Sequence, residues 1–274
     1  MKTFPVAVVQ MNSGPDKGTN LAKAAHAIEE AAHAGAQLVA LPEVFSWRGK
    51  PEQSRHEAES IPGQTTDAMS ALARRLRIHL IAGSILESIA FPAGAGGLPF
   101  NTATLFGPDG SLVAAYRKIH LFDVDLPGRV TVKESELRRA GDEVVCVQTE
   151  LGRIGLAVCY DLRFPELFRK LADAGAEVIA MPSAFTKPTG QAHWEPLLRA
   201  RAIENQCFVV APNQYGVSTH GFEDYGNSLI VDPWGQVVAR GPDNEAAVVT
   251  ATLDAAVLER VRRELPSLEH RRLA

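Results

Sequence analysis

The feature that most constrains the fold is a short motif that occurs twice. The first copy is Gly35-Ala-Gln-Leu-Val-Ala-Leu-Pro-Glu43, and the second is Gly175-Ala-Glu-Val-Ile-Ala-Met-Pro-Ser183. Each copy follows an amphipathic helix and predicts a buried strand that ends on a proline and a polar residue. Unless the match between two common helix-to-strand turns is chance, it indicates two similar halves related by a pseudo-twofold axis. Glu43 and Ser183 would then face one another across a shared crevice.

The order of the predicted elements indicates one α/β domain over residues 1–274. Helices and strands alternate through Ala211, and antiparallel strands follow around the turn Asp232–Gly235. No change of composition marks a linker. The predicted helices are 17–34, 65–77, 164–174, 193–205 and 255–264. The predicted strands are 4–11, 38–41, 79–86, 101–106, 111–116, 144–148, 154–158, 178–181, 207–211, 227–231, 237–240 and 247–253, with long loops at 91–99 and 123–136.

Composition excludes several classes of protein. The chain has 274 residues, 46% of them hydrophobic, and a net charge of −4, which argues against a nucleic-acid partner. No segment has the length of a membrane span, and the first ten residues lack the apolar core of a signal peptide. Three cysteines far apart indicate a reducing, cytoplasmic compartment, and no Cys/His cluster has metal-binding spacing.

Cys159 lies where a nucleophile would be expected. It follows the predicted strand 154–158 and precedes a predicted helix that starts at Phe164. A turn of this kind exposes a side chain, and the amino terminus of a nearby helix lowers the pKa of a thiol. A single cysteine after an apolar strand is also a common core residue. Cys159 alone therefore leaves both interpretations open.

Two charged residues also lie at strand ends. Glu43 either solubilises a loop or is a buried base, and Lys118, after the predicted strand 111–116, is by itself an ordinary edge residue. Catalytic groups collect at strand carboxyl ends in α/β sheets. A thiol, a carboxylate and an ammonium together are sufficient for acyl transfer.

Three segments carry a resemblance to a known family. In their order and wide spacing, Leu41–Glu43, Arg117–His120 and Cys159–Glu166 resemble the Glu-Lys-Cys signatures of the carbon–nitrogen hydrolase (nitrilase) superfamily. The resemblance covers essentially the whole chain. It implies an αββα sandwich with two pseudo-twofold-related halves, and a reaction that needs no cofactor.

The resemblance also implies roles for individual residues. Cys159 would attack an amide, Glu43 would act as general base and acid, and Lys118 with the backbone N–H of Tyr160 would hold the oxyanion. Glu134 matches a second glutamate of the superfamily, which would fix Lys118 or the substrate amide. A solvated charge in a polar loop is the alternative for Glu134.

Two further segments narrow the range of possible substrates. Pro182–Glu195 and Leu198–Cys207 resemble the branch that hydrolyses deaminated glutathione, in which a keto group replaces the glutamyl amino group. The products would be α-ketoglutarate and cysteinylglycine. The alternatives are an ω-amidase that acts on α-ketoglutaramate and α-ketosuccinamate, and another aliphatic amidase or nitrilase. A non-catalytic binding module on the same scaffold is a hypothesis of a different class.

An α-keto acid substrate needs a cation for its carboxylate. Arg163, four residues after Cys159, suits that role because a guanidinium binds a carboxylate with two parallel hydrogen bonds. An ion pair with a neighbouring acid is the alternative. Phe185 and Thr189 would line the acyl pocket, and Tyr160 and Ser183 would also bind the substrate.

Two asparagines depart from the family pattern. Asn227 occupies the central position where relatives often carry Gly-His-Ser, and Asn213 stands where small residues are more usual. Both lie near strands that would support the pocket, so they bear on the exact substrate.

The superfamily resemblance also predicts the assembly. The matching helices of relatives pack across a twofold axis, which implies a homodimer or a higher even oligomer. In this chain the segments concerned are 164–174 and 188–195, with Arg169, Lys170, Arg199 and Arg201 among their charged residues.

Overall fold

Helices and strands alternate along most of the computed structural model, which describes residues 1–89, 97–128, 130–219 and 221–273. The helices are α1 (Lys17–His33), α2 (Ser54–Glu57), α3 (Gln64–Leu76), α4 (Pro165–Asp173), α5 (Lys187–Asn205) and α6 (Ala255–Glu264). The strands are β1 (Phe4–Gln10), β2 (Leu38–Ala40), β3 (His79–Glu87), β4 (Phe100–Phe106), β5 (Leu112–Arg117), β6 (Asp123–Leu126), β7 (Val130–Lys133), β8 (Cys146–Gln148), β9 (Arg153–Leu156), β10 (Val178–Ala180), β11 (Phe208–Ala211), β12 (Tyr215–Val217), β13 (Glu223–Tyr225), β14 (Leu229–Val231), β15 (Val237–Arg240) and β16 (Ala247–Leu253).

The strands form two six-stranded sheets with the same pairing pattern. The orders are β16-β1-β2-β3-β4-β5 and β8-β9-β10-β11-β14-β15. Along each order the neighbours are antiparallel, parallel, parallel, antiparallel and antiparallel. The helices occupy matching links, since α1 and α4 precede β2 and β10, and α3 and α5 follow them. This repetition confirms the predicted sandwich of two pseudo-twofold-related halves.

Alternation along the central strands produces the layers. In β1, Val6 and Val8 belong to the core between the sheets, which they share with Val178 and Ala180 of β10. Ala7 points the other way, into a second core that includes Ile28 of α1. Because successive side chains leave a strand on opposite faces, apolar residues at every position bury both faces of the sheet. The helices therefore cover the outer faces, which gives four layers.

Two predictions about secondary structure were wrong. A third concerns residues that lie mostly outside the described ranges. The predicted loop 123–136 contains the hairpin β6–β7, whose strands pair from Asp123↔Lys133 to Leu126↔Val130, and a 3-10 turn at Glu134–Glu136. Its alternating polar and apolar residues were a signal for strands. Helix α5 begins six residues earlier than predicted, because the proline after Lys187 suits a first helical turn. The predicted loop 91–99 lies mostly outside the described residues.

The two copies of the repeated motif meet at their polar ends. Strands β2 and β10 lead to Glu43 and Ser183, and the N–H of Ala184 donates to Glu43 Oε2 at 2.9 Å. Gln214 holds the same segment from the second half, with Nε2 donating to the Glu43 carbonyl at 2.9 Å. The predicted crevice between the halves therefore begins at Glu43.

A glycine lets β3 pass close behind Glu43. Gly83 has a φ of +48°, and a Cβ at this position would lie 2.0 Å from the carbonyl oxygen of Pro42. The register of β3 against β4 shifts at this point, between Ile81 and Ser84. A side chain at position 83 would displace the backbone that carries Glu43.

We expect Gly83→Ala to lower the free energy of unfolding by about 3 kcal/mol or more, since a left-handed alanine and an overpacked contact each cost about 1–3 kcal/mol. Gly35→Ala is the control, because Gly35 has a φ of +92° with no atom within 4 Å of the added Cβ. Urea denaturation measures both variants. An equal loss in the two would show that the contact with Pro42 has no cost.

Candidate active site

A cavity of about 570 Å³ opens where the strand ends of the two halves meet. Glu43, Lys118 and Glu134 line it from the first half, and Cys159 and Ala184 line it from the second. The four residues predicted to be catalytic thus share one cavity. The arrangement brings a thiol, an ammonium and two carboxylates together.

Lys118 is the centre of this cluster. Its side chain is 2% exposed, and Nζ donates to Glu43 Oε1 at 3.0 Å and to Glu134 Oε2 at 2.8 Å. Asn101 links the same carboxylates, with Nδ2 lying 2.7 Å from Glu43 Oε1 and 3.3 Å from Glu134 Oε1. The N–H of Phe122 also donates to Glu134 Oε2, at 2.7 Å. Glu134 is therefore a partner of Lys118, and its alternative role as a solvated charge is wrong.

The two carboxylates decide the charge of Lys118. Burial alone would lower the pKa of this ammonium, but Glu134 and Glu43 outweigh burial and raise the pKa well above its usual value. Burial would likewise raise the pKa of Glu134, but Lys118 lowers it. Lys118 and Glu134 are therefore both ionised at neutral pH.

Cys159 sits on a tight turn between β9 and α4. Its φ is +49°, and its N–H donates to the carbonyl of Pro182 at 3.0 Å. The side chain is 8% exposed. The thiol interacts with the Glu43 carboxylate, the Lys118 ammonium and the backbone N–H of Ala184. One carboxylate thus contacts both the nucleophile and the cation.

The expectation of a lowered thiol pKa was wrong. Burial, and then the charge of Glu43, raise the pKa of Cys159 well above its usual value, and Lys118 offsets this only in part. Helix α4 begins at Pro165, and a 3-10 turn separates it from the thiol. Cys159 is therefore a neutral thiol at neutral pH.

Asp161 was not predicted as a site residue, but it joins the cysteine turn to the lysine segment. It is fully buried. Oδ2 accepts from the Tyr116 hydroxyl at 2.7 Å and from the Val158 N–H at 2.8 Å, and Oδ1 accepts from the His120 N–H at 3.1 Å. The sequence signal for this role was an acidic residue between Tyr160 and Leu162, directly after a buried strand. A carboxylate buried at such a place requires several hydrogen-bond donors.

Three predicted substrate-binding residues lie behind the cavity wall. Ala184 and Thr186 line the cavity, whereas Ser183, Phe185 and Thr189 are not among its lining residues. All three are buried, and the hydroxyls of Ser183 and Thr189 bond to groups of their own segment. In this structure they support the wall.

Tyr160 and Arg163 also lie outside the cavity lining. The Arg163 guanidinium lies 5.6 Å from the Tyr160 ring centroid and 5.2 Å from that of Phe185, with Nη1 3.2 Å from His193 Nδ1. Among the salt bridges between described residues, none involves Arg163. The alternative of an ion pair with a neighbouring acid is therefore not realised.

Two arginines that the sequence did not single out do line the cavity. Arg48 is buried against Asp224 in a two-bond ion pair, in which Nη2 lies 3.3 Å from Oδ1. Arg138 follows Glu134 by one turn of chain. The partners of Arg48 are distant in sequence, so the pattern held no signal for this pair.

The two asparagines that depart from the family pattern brace the cavity wall. Asn227 has a φ of +52°, a conformation that asparagine tolerates, and its carbonyl accepts from Trp194 Nε1 at 2.7 Å. Asn213 Oδ1 accepts from the N–H of Phe185 at 2.9 Å, and Nδ2 donates to the Gly226 carbonyl at 2.7 Å. Neither lines the cavity.

Neither a metal site nor a membrane-spanning helix is found among the described residues. They contain no group of three or more His, Cys, Asp or Glu side chains that could hold a metal ion. Within the same residues, no helix is both long and apolar enough to cross a bilayer.

Comparison with known proteins identifies the family. The model of the Carbon-nitrogen hydrolase family matches residues 5–263. The chain belongs to this family. Over 274 residues it is 40% identical to the deaminated glutathione amidase of Synechocystis sp. (99% of each chain), and over 272 residues it is 39% identical to the omega-amidase NIT2 of Homo sapiens (99% of this chain, 96% of the relative). It superposes on Saccharomyces cerevisiae Nit3, a member of branch 10 of the nitrilase superfamily, with a TM-score of 0.88 and 34% identity, covering 99% of this chain and 97% of that one.

Membership of this family establishes the general type of reaction. This carbon–nitrogen hydrolase acts on C–N bonds other than peptide bonds. The raised pKa of the Cys159 thiol is directly measurable.

We expect the alkylation of Cys159 by iodoacetamide to rise only above the pH range of an ordinary thiol. In Glu43→Gln the midpoint should move to lower pH, because the anion that helps to raise the Cys159 pKa is gone while Lys118 remains. Mass spectrometry of the Cys159 peptide across pH measures both midpoints, with the urea-unfolded protein as reference. A parent midpoint at the unfolded value would contradict the raised pKa.

Proposed function

We propose that this carbon–nitrogen hydrolase is an amidase that forms a thioester on Cys159 and hydrolyses deaminated glutathione to α-ketoglutarate and cysteinylglycine. The observation that carries the proposal is the position of Glu43. Its carboxylate interacts with the thiol of Cys159, with the ammonium of Lys118 and with the N–H of Ala184. Glu43 can therefore take the proton of the Cys159 thiol, while Lys118 stabilises its negative charge and the N–H of Ala184 fixes its orientation.

Acylation begins with proton transfer from Cys159 Sγ to Glu43. Sγ then bonds to the amide carbon, and the carbonyl oxygen becomes an oxyanion that Lys118 and the backbone N–H of Tyr160 stabilise. Collapse breaks the C–N bond as Glu43 returns the proton to the leaving nitrogen. The products of this half-reaction are a free amine and a thioester on Cys159.

Deacylation uses the same groups in reverse. Glu43 takes a proton from a water molecule, whose oxygen bonds to the thioester carbon. The C–S bond breaks, the acid leaves, and the sulfur regains the proton. Glu134 and Asn101 keep the Glu43 and Lys118 side chains in place throughout, since Glu134 accepts from Lys118 and Asn101 donates to both glutamates.

Trapping the intermediate tests this assignment. With a slowly turned-over amide, we expect the acyl mass on the Cys159 peptide of the parent and none on that peptide in Cys159→Ala. Glu43→Gln should also fail to hydrolyse a thioester preformed with an activated ester, with a loss of about two to four orders of magnitude for a missing acid–base group. Full activity of Cys159→Ala would exclude the thioester.

The choice of an α-keto acid rests on Arg163. Its guanidinium lies over the rings of Tyr160 and Phe185, outside the cavity lining, and no salt bridge between described residues occupies it. We propose that it reaches the carboxylate of the acyl half at this end of the cavity, with Ser183, Phe185 and Thr189 supporting the wall. The names of the two relatives, deaminated glutathione amidase and omega-amidase, agree with an acyl group of this kind.

We expect Arg163→Ala to raise KM for α-ketoglutaramate at least tenfold more than KM for butyramide, because only the former carries a carboxylate for a charged hydrogen bond. Arg163→Lys should recover part of the difference. Steady-state kinetics on both amides give the ratio. Equal effects on the two substrates would mean that Arg163 supports the turn instead of binding substrate.

The second candidate function is that of an ω-amidase, since the omega-amidase relative is nearly as similar in sequence as the deaminated glutathione amidase. Comparing kcat/KM on deaminated glutathione, α-ketoglutaramate, a simple aliphatic amide and a nitrile separates the amidase alternatives. A binding module would show no turnover of any of them.

We also propose that the protein is a cytoplasmic homodimer, or a higher even oligomer, that pairs through α4 and the first half of α5. The free state of all three cysteines fits a reducing compartment. Arg201 does not belong to the expected interface, because it is buried and donates to the Leu162 carbonyl at 3.1 and 2.8 Å.

A further inference from the structure

The leaving nitrogen of the substrate has to lie beside Glu43. In the proposed mechanism Glu43 returns its proton to that nitrogen, so the two atoms must come within hydrogen-bond distance. Any group carried by the nitrogen therefore extends into the part of the cavity around Glu43 and Glu134. The residues there determine which amine halves the enzyme accepts.

Asn101 orients the two carboxylates at this place. Its side chain lines the cavity and is 2% exposed. Because Nδ2 donates to both Glu43 and Glu134, the orientation of the amide is fixed, and Oδ1 accepts no hydrogen bond from the described groups. Oδ1 itself is buried away from the cavity, so the contribution of Asn101 is to hold the two carboxylates at fixed positions around the leaving nitrogen.

Two guanidinium groups lie in the same region, but only one is available. Arg48 and Arg138 both line the cavity and both interact electrostatically with Glu43. Arg48 is not available to bind a substrate carboxylate, because its guanidinium forms a buried ion pair with Asp224. None of the salt bridges between described residues involves Arg138.

The backbone holds Arg138 in place. Its N–H donates to the Glu134 carbonyl at 2.8 Å, and Nη1 donates to the Leu137 carbonyl at 2.9 Å. A guanidinium has five N–H donors in a planar fork, so the remaining donors suffice for a carboxylate. Arg138 is therefore a partly buried, oriented cation beside the predicted position of the leaving group.

We propose that Arg138 binds a carboxylate on the amine half of the substrate, and so selects amides whose leaving group is an amino acid or short peptide with a free carboxyl end. The inference rests on the proposed function. It separates the two carboxylates of deaminated glutathione, with the acyl end assigned to Arg163 and the glycine end to Arg138.

A matched substrate pair tests the proposal. Deaminated glutathione and its carboxy-terminal carboxamide differ only in the charge that Arg138 would bind. We expect the parent to prefer the acid by about tenfold or more in kcat/KM, mainly through KM, and Arg138→Gln to remove that preference. Arg138→Lys should keep part of it. Arg139→Gln is the control, because the neighbouring Arg139 lies over the Phe100 ring, 4.9 Å from its centroid, and does not line the cavity.

The outcomes separate the inference from the proposed function. No hydrolysis of either α-ketoglutaryl amide by the parent would overturn the proposed function itself. Hydrolysis without a preference for the acid would overturn only the role of Arg138. If Arg138→Gln lost the same factor on the acid, the carboxamide and α-ketoglutaramate, Arg138 would act through the charge of Glu134 and the proposal would also be wrong.

Discussion

The burial of the Lys118 ammonium is the constraint on which the site depends. A buried charge without partners is prohibitively costly, so Lys118 requires both Glu43 and Glu134. Glu43 also lies beside Cys159, and burial, followed by the charge of Glu43, raises the pKa of the thiol well above its usual value. The carboxylate that holds the ammonium is thus one of the groups that keep the thiol neutral.

The repeated half explains how these groups meet. Glu43 follows β2, and Cys159 follows the strand β9 in the other half, so the crevice between the halves brings base and nucleophile together. Both turns are strained, because Val44 and Cys159 have φ values of +47° and +49°. A β-branched residue in this conformation is a genuine outlier, and such strain persists only where the surroundings determine it. Asp161 supplies part of that support by accepting three backbone and hydroxyl donors around the cysteine turn.

The sequence predicted the strand ends well and the electrostatics poorly, for physical reasons. Apolar runs that end in a turn identify buried strands locally, which placed Glu43, Lys118 and Cys159 at one edge. The Cys159 pKa depends instead on burial and on a carboxylate from the other half, which no local pattern contains. Arg138 shows the same limit, because its place in the cavity depends on the 3-10 turn after the hairpin β6–β7. The alternation within that hairpin was visible, but a proline and a glycine at its turn favoured a loop.

A neutral resting thiol suits substrates that carry carboxylates. In the proposed mechanism, a thiolate beside Glu43 would add a negative charge to the cavity and would repel an anionic substrate before it reached Lys118. A protonated sulfur leaves the positive charges of the cavity to attract the carboxylates of the proposed substrate. Proton transfer to Glu43 would then create the thiolate only when the amide carbon is in reach, and the new charge would pass to the oxyanion beside Lys118. The raised thiol pKa is on this view a part of substrate selection and not an obstacle to reactivity.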